Sequence, residues 1–209
     1  MPKSFSILEK ELIREKLLLE GNRLFSIYGL KKTNVEEIAL GSGISKGAFY
    51  LFFPSKEVLF FEVTGQAEKK FRQEILSVID LEGPSPRIRL YTALRKAYFL
   101  WQTIPLLTQF SKTDFEVIAR RVPGEIIEAH MNDDRLFVEE LLQHCQSAGI
   151  MIKADPGEIR DMLYTIFICV LHQNDFGEGQ LEKSIDTLIW IISGYFMGEI
   201  DLPQIKEKE

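Results

Sequence analysis

The apolar residues between positions 59 and 79 recur at every fourth position, and this spacing constrains the fold more than any other feature of the sequence. They are Leu59, Val63, Ala67, Phe71, Ile75 and Ile79. Residues four apart lie on one face of an α-helix, and each step advances about 400°, so the stripe drifts by about 40° per step. A drifting stripe does not pack against one straight partner over its whole length. The simplest interpretation is one long helix that two domains share.

The rest of the chain carries the boundary signals of further helices. Gly29 follows an apolar-periodic stretch where a C-terminal cap belongs, and a Gly-Pro-Ser-Pro run at 83–86 ends the long helix. Asp155, followed by Pro156 and Glu158, is a strong signal for a helix start. No stretch shows the alternation typical of a β-strand. We therefore predict an all-α fold.

The composition is that of an ordinary soluble globular chain, with 45% hydrophobic and 27% charged residues. No stretch reaches the roughly 18 consecutive apolar residues that a membrane span needs. The first residues carry charges where a signal peptide has its apolar core. The two cysteines, Cys145 and Cys169, favour a reduced compartment and no disulfide framework. We expect a cytoplasmic protein with no membrane partner.

Residues 33–59 supply the parts of a helix-turn-helix in order: a short helix, a glycine-rich turn and a second short helix. Thr33 with Glu36, or Asn34 with Glu37, matches a capping box for the first of these helices. Ser45 is positioned to cap the second, which is expected to run to about Phe52. The small core between the two helices is expected to contain Ile38, Ala39, Ile44 and Phe49.

The second short helix leaves a set of residues for a DNA groove, and these are Lys46, Gly47, Ala48, Tyr50 and Leu51. Gly47 lets the backbone come close to DNA, Lys46 adds positive charge, and Tyr50 can donate to a phosphate. Lys56 stands at the start of the next helix, where amide donors and the helix dipole favour an anion. This segment is the predicted DNA-binding surface.

The charge of the chain is unevenly distributed, although its net charge is −6. Residues 1–60 hold 9 Lys and Arg against 7 Asp and Glu, whereas the remainder holds 16 against 24. The first segment can therefore approach phosphate while the acidic remainder stays away from it. This asymmetry permits a DNA-binding head.

The pattern T-x4-I-A-x3-G-I-S-K-G-x-F-Y-x2-F-P-S-K-E-x-L resembles the signature of DNA-binding domains in the tetracycline-repressor (TetR) family. Leu24, Phe25 and Gly29 extend the resemblance into the first helix, so that it covers about residues 13–59. The resemblance implies a three-helix DNA-binding domain at 1–55 and a helical-bundle domain for ligand binding and dimerisation at 56–209. It also implies a two-fold dimer whose recognition helices read successive major-groove faces of operator DNA.

Carried over by position, the family pattern implies phosphate contacts from a set of polar residues, namely Thr33, Ser45, Lys46, Tyr50 and Lys56. Lys46 and Gly47 also come near base edges. Phe52 departs from the Tyr or His that is common in the family and lacks a hydrogen-bond donor. Ala48 and Leu51 offer no hydrogen bonds to bases and are expected to touch thymine methyl groups.

The C-terminal half contains two stretches, 166–171 and 188–192, that are apolar around the whole helix circumference. Such a helix has to be covered on every side, and a partner subunit is the natural cover. The alternative is a central core helix in a monomer. We favour a homodimer, which the family pattern also implies, with candidate interface residues Ile166, Val170, Leu188, Ile192 and Tyr195.

Aromatic and apolar residues of the C-terminal half are candidates for the lining of an effector pocket, although ordinary core packing accounts for any one of them equally simply. They are Phe99, Trp101, Phe110, Phe115, Phe137, Met162, Tyr164 and Phe167. The existence of a pocket is implied by the resemblance, and an apolar or aromatic small molecule is expected in it.

Other functional classes find less support. The histidines at 130, 144 and 172 lack metal-ligand spacing, and no set of catalytic groups is recognisable, so we predict neither a metal, a cofactor nor an enzyme. The prediction is a ligand-responsive DNA-binding regulator, most simply a repressor. The alternatives are a helical protein-interaction module that does not bind DNA and a small helical enzyme.

Overall fold

The computed structural model describes residues 5–79, 85–108, 111–172, 175 and 179–200. Across these ranges the regular structure is helical, which confirms the predicted all-α fold. The helices are α1 (Ile7–Lys32), α2 (Val35–Gly41), α3 (Lys46–Phe49), α4 (Lys56–Ile79), α5 (Pro86–Thr103), α6 (Pro105–Thr108), α7 (Lys112–Arg121), α8 (Gly124–Ser147), α9 (Pro156–Leu171) and α10 (Gln180–Phe196).

Reciprocal side-chain caps begin two of the long helices. At α1 the Ser6 hydroxyl accepts from the Glu9 amide at 3.3 Å, and the Ser6 amide donates to the Glu9 carboxylate at 2.8 Å. At α9 the Asp155 carboxylate accepts from the Gly157 amide at 2.8 Å, and Pro156 occupies the first turn. The helix start predicted at Asp155 is therefore confirmed.

The described chain divides into two compact units, the first of which comprises Met1–Lys70 and Trp101–Ala129. Its apolar core joins α1 to α4 with side chains from α6, α7 and the residue after α7. Leu106, Ile118 and Val122 belong to the same buried cluster as Phe25 and Phe49. The helix-turn-helix therefore has apolar support from residues about 50 to 70 positions further along the chain.

The second unit comprises Phe71–Leu100 and His130–Glu209. Its buried apolar residues come from α4, α5, α8, α9 and α10. The Asp186 carboxylate joins α10 to α5, because it accepts from the Tyr91 hydroxyl at 2.8 Å and from Arg95 Nε at 2.7 Å. The domain limits expected from the sequence, 1–55 and 56–209, stay a prediction.

Helix α4 contributes to both units, as its drifting stripe predicts. Leu59 and Val63 are buried in the first unit, and Ile75 and Ile79 are buried in the second. One continuous helix of 24 residues thus carries two successive apolar faces.

Two helices differ from the sequence prediction. Helix α3 ends at Phe49, before the predicted end at about Phe52, because the chain tightens into a turn in which the Phe52 amide donates to the Phe49 carbonyl at 2.9 Å. Helix α8 begins at Gly124, not at about Asp133. Its first turns pack Ile126 and Ile127 against the core of the first unit. The later residues of α8 belong to the second unit, so no single periodicity marks the whole helix.

Across the described ranges, no helix combines the length and apolar character needed to cross a bilayer.

Candidate nucleic-acid interface

The turn between α2 and α3 is held by its own polar groups. The buried Ser42 hydroxyl donates to the Ile38 carbonyl at 2.8 Å. Gly43 has a φ of 76°, a left-handed conformation that favours glycine. The Ile44 amide then donates back to the Ala39 carbonyl at 3.0 Å. This turn sets the direction in which α3 leaves α2.

A small apolar core joins the two short helices as predicted. Ile38, Ala39 and Phe49 are fully buried, and Ile44 packs against the same cluster while partly exposed. The Phe49 ring also meets the Tyr50 ring edge-on, with centroids 5.4 Å apart. Because its apolar side is used inside, α3 presents its remaining side chains to solvent.

Ser45 caps α3 as the sequence predicts, since its hydroxyl accepts from the Ala48 amide at 3.2 Å. The capping box predicted for α2 is wrong. Asn34 is the cap residue of α2 but makes no side-chain cap bond. The Thr33 hydroxyl donates instead to the Gly29 carbonyl at 2.7 Å, and Thr33 is fully buried.

The exposed surface of α3 and the turn after it is defined here as the α3 face. Ser45, Lys46 and Gly47 are exposed and Ala48 is partly exposed. The side chains of Tyr50 and Leu51 follow, at 51% and 74% exposure. Six of the eight residues predicted to meet DNA therefore lie together on one accessible surface, which combines a cation, two hydroxyls and small or apolar groups.

The remaining two predicted residues, Thr33 and Lys56, lie at the junction of α1 and α2. The Lys56 ammonium donates to the carbonyl oxygens of Leu30 at 2.8 Å, Lys31 at 3.3 Å and Thr33 at 2.7 Å. Burial lowers the pKa of the Lys56 ammonium from its ordinary value. The donors of both residues point to backbone oxygens of their own unit.

Sequence reasoning missed two features of this region. Glu36 on α2 pairs with Lys46, with Oε1 and Nζ 3.1 Å apart. Phe52 is half-buried, and its ring lies 6.1 Å from the Phe5 ring, so an apolar aromatic group at this position packs against the residues before α1. The separation of 10 positions between Glu36 and Lys46 gave no local signal for the first contact.

The residues predicted to line an effector pocket fall in different places. Trp101 and Phe115 belong to the first unit, and Phe110 lies outside the described residues. The others lie in the second unit and are Phe99, Phe137, Met162, Tyr164 and Phe167. Among them, the Tyr164 and Phe167 rings lie 6.0 Å apart on α9. A depression of about 230 Å³ on α5 is lined by Tyr91, Thr92, Arg95, Lys96 and Phe99. Phe99 is the member of the predicted set that lines this depression.

The residues predicted for a dimer interface lie on α9 and α10. Val170 is buried within the chain at 9% exposure, and Ile166 is half-buried. On α10, Leu188 and the neighbouring Ile191 are 40% and 45% exposed. The Tyr195 hydroxyl donates to the Glu158 carboxylate at 2.9 Å. Positions 188, 191 and 195 follow the spacing of one helix face, and 192 lies beside it. This α10 face is apolar and accessible.

A family model described as "Bacterial regulatory proteins, tetR family" matches residues 17–63, which include α2, α3 and the turn between them. YuxN, an HTH-type transcriptional regulator of Bacillus subtilis (strain 168), is 44% identical over 84 residues. That match covers 40% of this chain and 27% of YuxN, and a match to YerO of the same organism covers 16% of YerO. The chain thus spans a minor part of these two relatives.

Other similarities extend over nearly the whole chain. YhgD, an HTH-type transcriptional regulator of Bacillus subtilis (strain 168), is 36% identical over 187 residues, which are 87% of this chain and 94% of YhgD. The structure of RolR in complex with resorcinol has a TM-score of 0.66 at 16% identity and covers 96% of this chain and 100% of RolR. The TetR-family repressor FadR of Thermus thermophilus, in complex with lauroyl-CoA, has a TM-score of 0.62 at 18% identity and covers 94% of this chain and 98% of FadR.

The likeness to these solved structures concerns the fold. The family model matches the helix-turn-helix, and a relative of this identity aligns over almost its full length. The chain therefore belongs to the tetR family of bacterial regulatory proteins and is a DNA-binding, helix-turn-helix transcriptional regulator.

Proposed function

We propose that this regulator is a cytoplasmic homodimer that binds a palindromic operator, represses transcription there and is released by a small-molecule effector. The proposal needs no catalytic group and no cofactor. The observation that carries it is the α3 face, which is presented to solvent by a turn and a core that leave its polar and apolar side chains accessible.

On the DNA side, Ser45, Lys46 and Tyr50 are proposed to contact phosphates, since hydroxyl and ammonium groups are typical phosphate donors. Gly47 allows close approach of the backbone, and the apolar Ala48 and Leu51 suit thymine methyl groups. A phosphate contact from Thr33 or Lys56 requires their donors to leave the backbone carbonyls that they now contact.

The dimer is proposed to form through α9 and α10. The α10 face exposes Leu188 and Ile191, and Ile192 and Tyr195 adjoin them partly exposed. Accessible apolar side chains clustered on one helix face are typical of an interaction site. A second copy of the chain is the natural occupant, because a palindromic operator is read by two heads related by two-fold symmetry.

The effector is proposed to be an apolar or aromatic small molecule bound among the aromatic residues of the second unit. Support comes from the half-buried side chains of Phe99, Phe137, Met162 and Phe167 and from the neighbours of similar fold, RolR with resorcinol and FadR with lauroyl-CoA. Effector binding would favour a dimer whose recognition helices no longer match half-sites about 34–36 Å apart. Helix α4 is the proposed transmitter, because it contributes to both units.

Two experiments test the proposal. Duplexes selected by the chain from a random library should bind it with an affinity that falls steeply with salt, and Lys46→Ala and Tyr50→Phe should weaken that binding while the thermal unfolding midpoint is unchanged. Unchanged affinity in both variants would count against DNA recognition by the α3 face. Resorcinol and lauroyl-CoA are the first effector probes, with a rise in unfolding midpoint and release of the duplex as joint readouts.

A further inference from the structure

Lys56 is bound to the end of another helix far from it in sequence. Its ammonium group carries three N–H donors, and three carbonyl oxygens, those of Leu30, Lys31 and Thr33, lie within 2.7 to 3.3 Å of Nζ. The number of acceptors equals the number of donors. The polar end of Lys56 is thus fully engaged inside its own unit.

These carbonyl oxygens belong to the place where α1 ends and the chain turns toward α2. Gly29 leaves the helical conformation with a φ of 71°, so the carbonyls after it lack the amide partners of a continuing helix. They also lie at the negative end of the helix dipole, where a cation is favourable. Lys56 supplies that cation from one side, and the buried Thr33 hydroxyl bonds to Gly29 from the other.

Two local observations agree with this assignment. Lys56 is the first residue of α4, a position where a positive charge is unfavourable to its own helix. Asn34, the cap residue of α2, makes no side-chain bond to that helix, so no cap side chain of α2 fixes the turn before it. The charge of Lys56 serves the junction of α1 and α2 and not the helix that carries it.

We infer that Lys56 is a positioning residue for DNA binding: its ammonium group fixes the turn between α1 and α2, and so the direction of the helix-turn-helix, without contacting phosphate. The inference rests on the proposed DNA-binding function. It assigns to Lys56 a role different from the phosphate contact that the family pattern implies.

Paired substitutions at positions 56 and 46 distinguish the two roles on duplexes selected from a random library. An arginine replaces a lysine well at a phosphate, but its planar guanidinium cannot place three donors on converging carbonyls. We expect Lys56→Arg and Lys56→Met to lose affinity alike, by about tenfold, with the salt dependence of binding unchanged. At the exposed control position, Lys46→Arg should keep affinity, and Lys46→Met should reduce the slope of log affinity against log salt by about 0.9.

Lysine acetylation of the wild-type chain, read by mass spectrometry with and without the selected duplex, gives a test that needs no variant. Lys56 should react slowly in both states, whereas Lys46 should react readily and be protected by DNA. Wild-type affinity for Lys56→Arg with a reduced slope for Lys56→Met, or acetylation of Lys56 that only DNA prevents, would overturn the inference. Loss of DNA binding by the wild type would instead overturn the proposed function.

Discussion

The Lys46 ammonium lies 3.1 Å from the Glu36 carboxylate, so the single lysine of α3 is paired with the helix before it. Both side chains are largely exposed, at 53% and 70%. A phosphate that takes the Lys46 ammonium must compete with Glu36. The pair therefore opposes DNA contact in general, and a duplex has to supply enough other contacts to displace it.

Glu36→Gln should raise affinity for DNA of any sequence, because it removes the competitor of phosphate at Lys46. Exposed ion pairs contribute about 0.2–1 kcal/mol, which corresponds to a rise of up to about fivefold. Fluorescence anisotropy on a selected duplex and on its scrambled version measures the effect. Glu37→Gln removes the same charge one position along, and an equal gain in both variants would show that the Glu36–Lys46 contact has no separate role.

Gly47→Ala should preserve the fold and weaken DNA binding. A Cβ built at Gly47 meets only the Ser45 hydroxyl, at 4.0 Å, and a Gly-to-Ala change without strain stabilises a protein by about 0.4–1 kcal/mol. The cost should therefore appear only where the backbone approaches DNA. Gly43→Ala is the contrasting variant, because its φ of 76° makes a side chain strained, and it should lower the unfolding midpoint. Undiminished DNA affinity in Gly47→Ala would contradict the close approach.

Ser45→Asp separates the capping role of Ser45 from its predicted phosphate contact. Aspartate caps a helix as well as serine does, so the free energy of unfolding should change little. Its negative charge should repel phosphate and greatly reduce DNA affinity. Ser45→Ala, which removes the bond from the Ala48 amide, should cost about 0.5–2 kcal/mol of stability. DNA affinity retained in the aspartate variant would place Ser45 away from the backbone of the duplex.

Ile191→Glu should convert the proposed dimer to a monomer, because it places a charge on the accessible α10 face, where Ile191 is 45% exposed. Light scattering coupled to size exclusion gives the mass directly. Lys183→Glu changes an exposed residue of the same helix outside the α10 face and should leave the mass unchanged. A monomeric wild type, or a dimeric Ile191→Glu variant, would exclude this interface.

Cys145 should be inert in the folded chain and should make stability fall at high pH. Burial raises the pKa of its thiol from 9.0 to about 11. Between these values the folded chain holds a proton that the unfolded chain has released, so stability is complete below pH 9 and is lost as the pH rises toward 11. Denaturant midpoints between pH 8 and pH 11 should fall more for the wild type than for Cys145→Ala. Equal falls would rule the thiol out as the cause.

The helix-turn-helix was predictable because its signals are local. Ile38, Ala39 and Phe49 follow helical spacing, and glycine and serine mark the turn and the cap. The roles of Thr33 and Lys56 were not predictable in this way. A threonine three residues before a glutamate looks the same whether its hydroxyl caps the next helix or bonds back to Gly29. Lys56 meets carbonyls 23 to 26 positions earlier, a contact that only the packed fold creates.

The long helix α4 was predictable from its periodicity, but the composition of the units that it joins was not. Trp101–Ala129 belongs to the first unit, because the apolar side chains of α6 and α7 complete the core beneath the helix-turn-helix. In sequence these residues resemble any other helical stretch of the C-terminal half. The predicted pocket set is divided between the units for the same reason, since aromatic residues give no local sign of which core they join.

The salt dependence of DNA binding tests the central claim most directly. The wild-type chain and Lys46→Met are titrated onto a duplex selected from a random library at several salt concentrations. We predict that log affinity falls linearly with log salt for both, and that the slope for Lys46→Met is smaller by about 0.9, the value for one lost phosphate contact. An affinity independent of salt, or identical slopes for the two chains, would contradict DNA recognition by the α3 face.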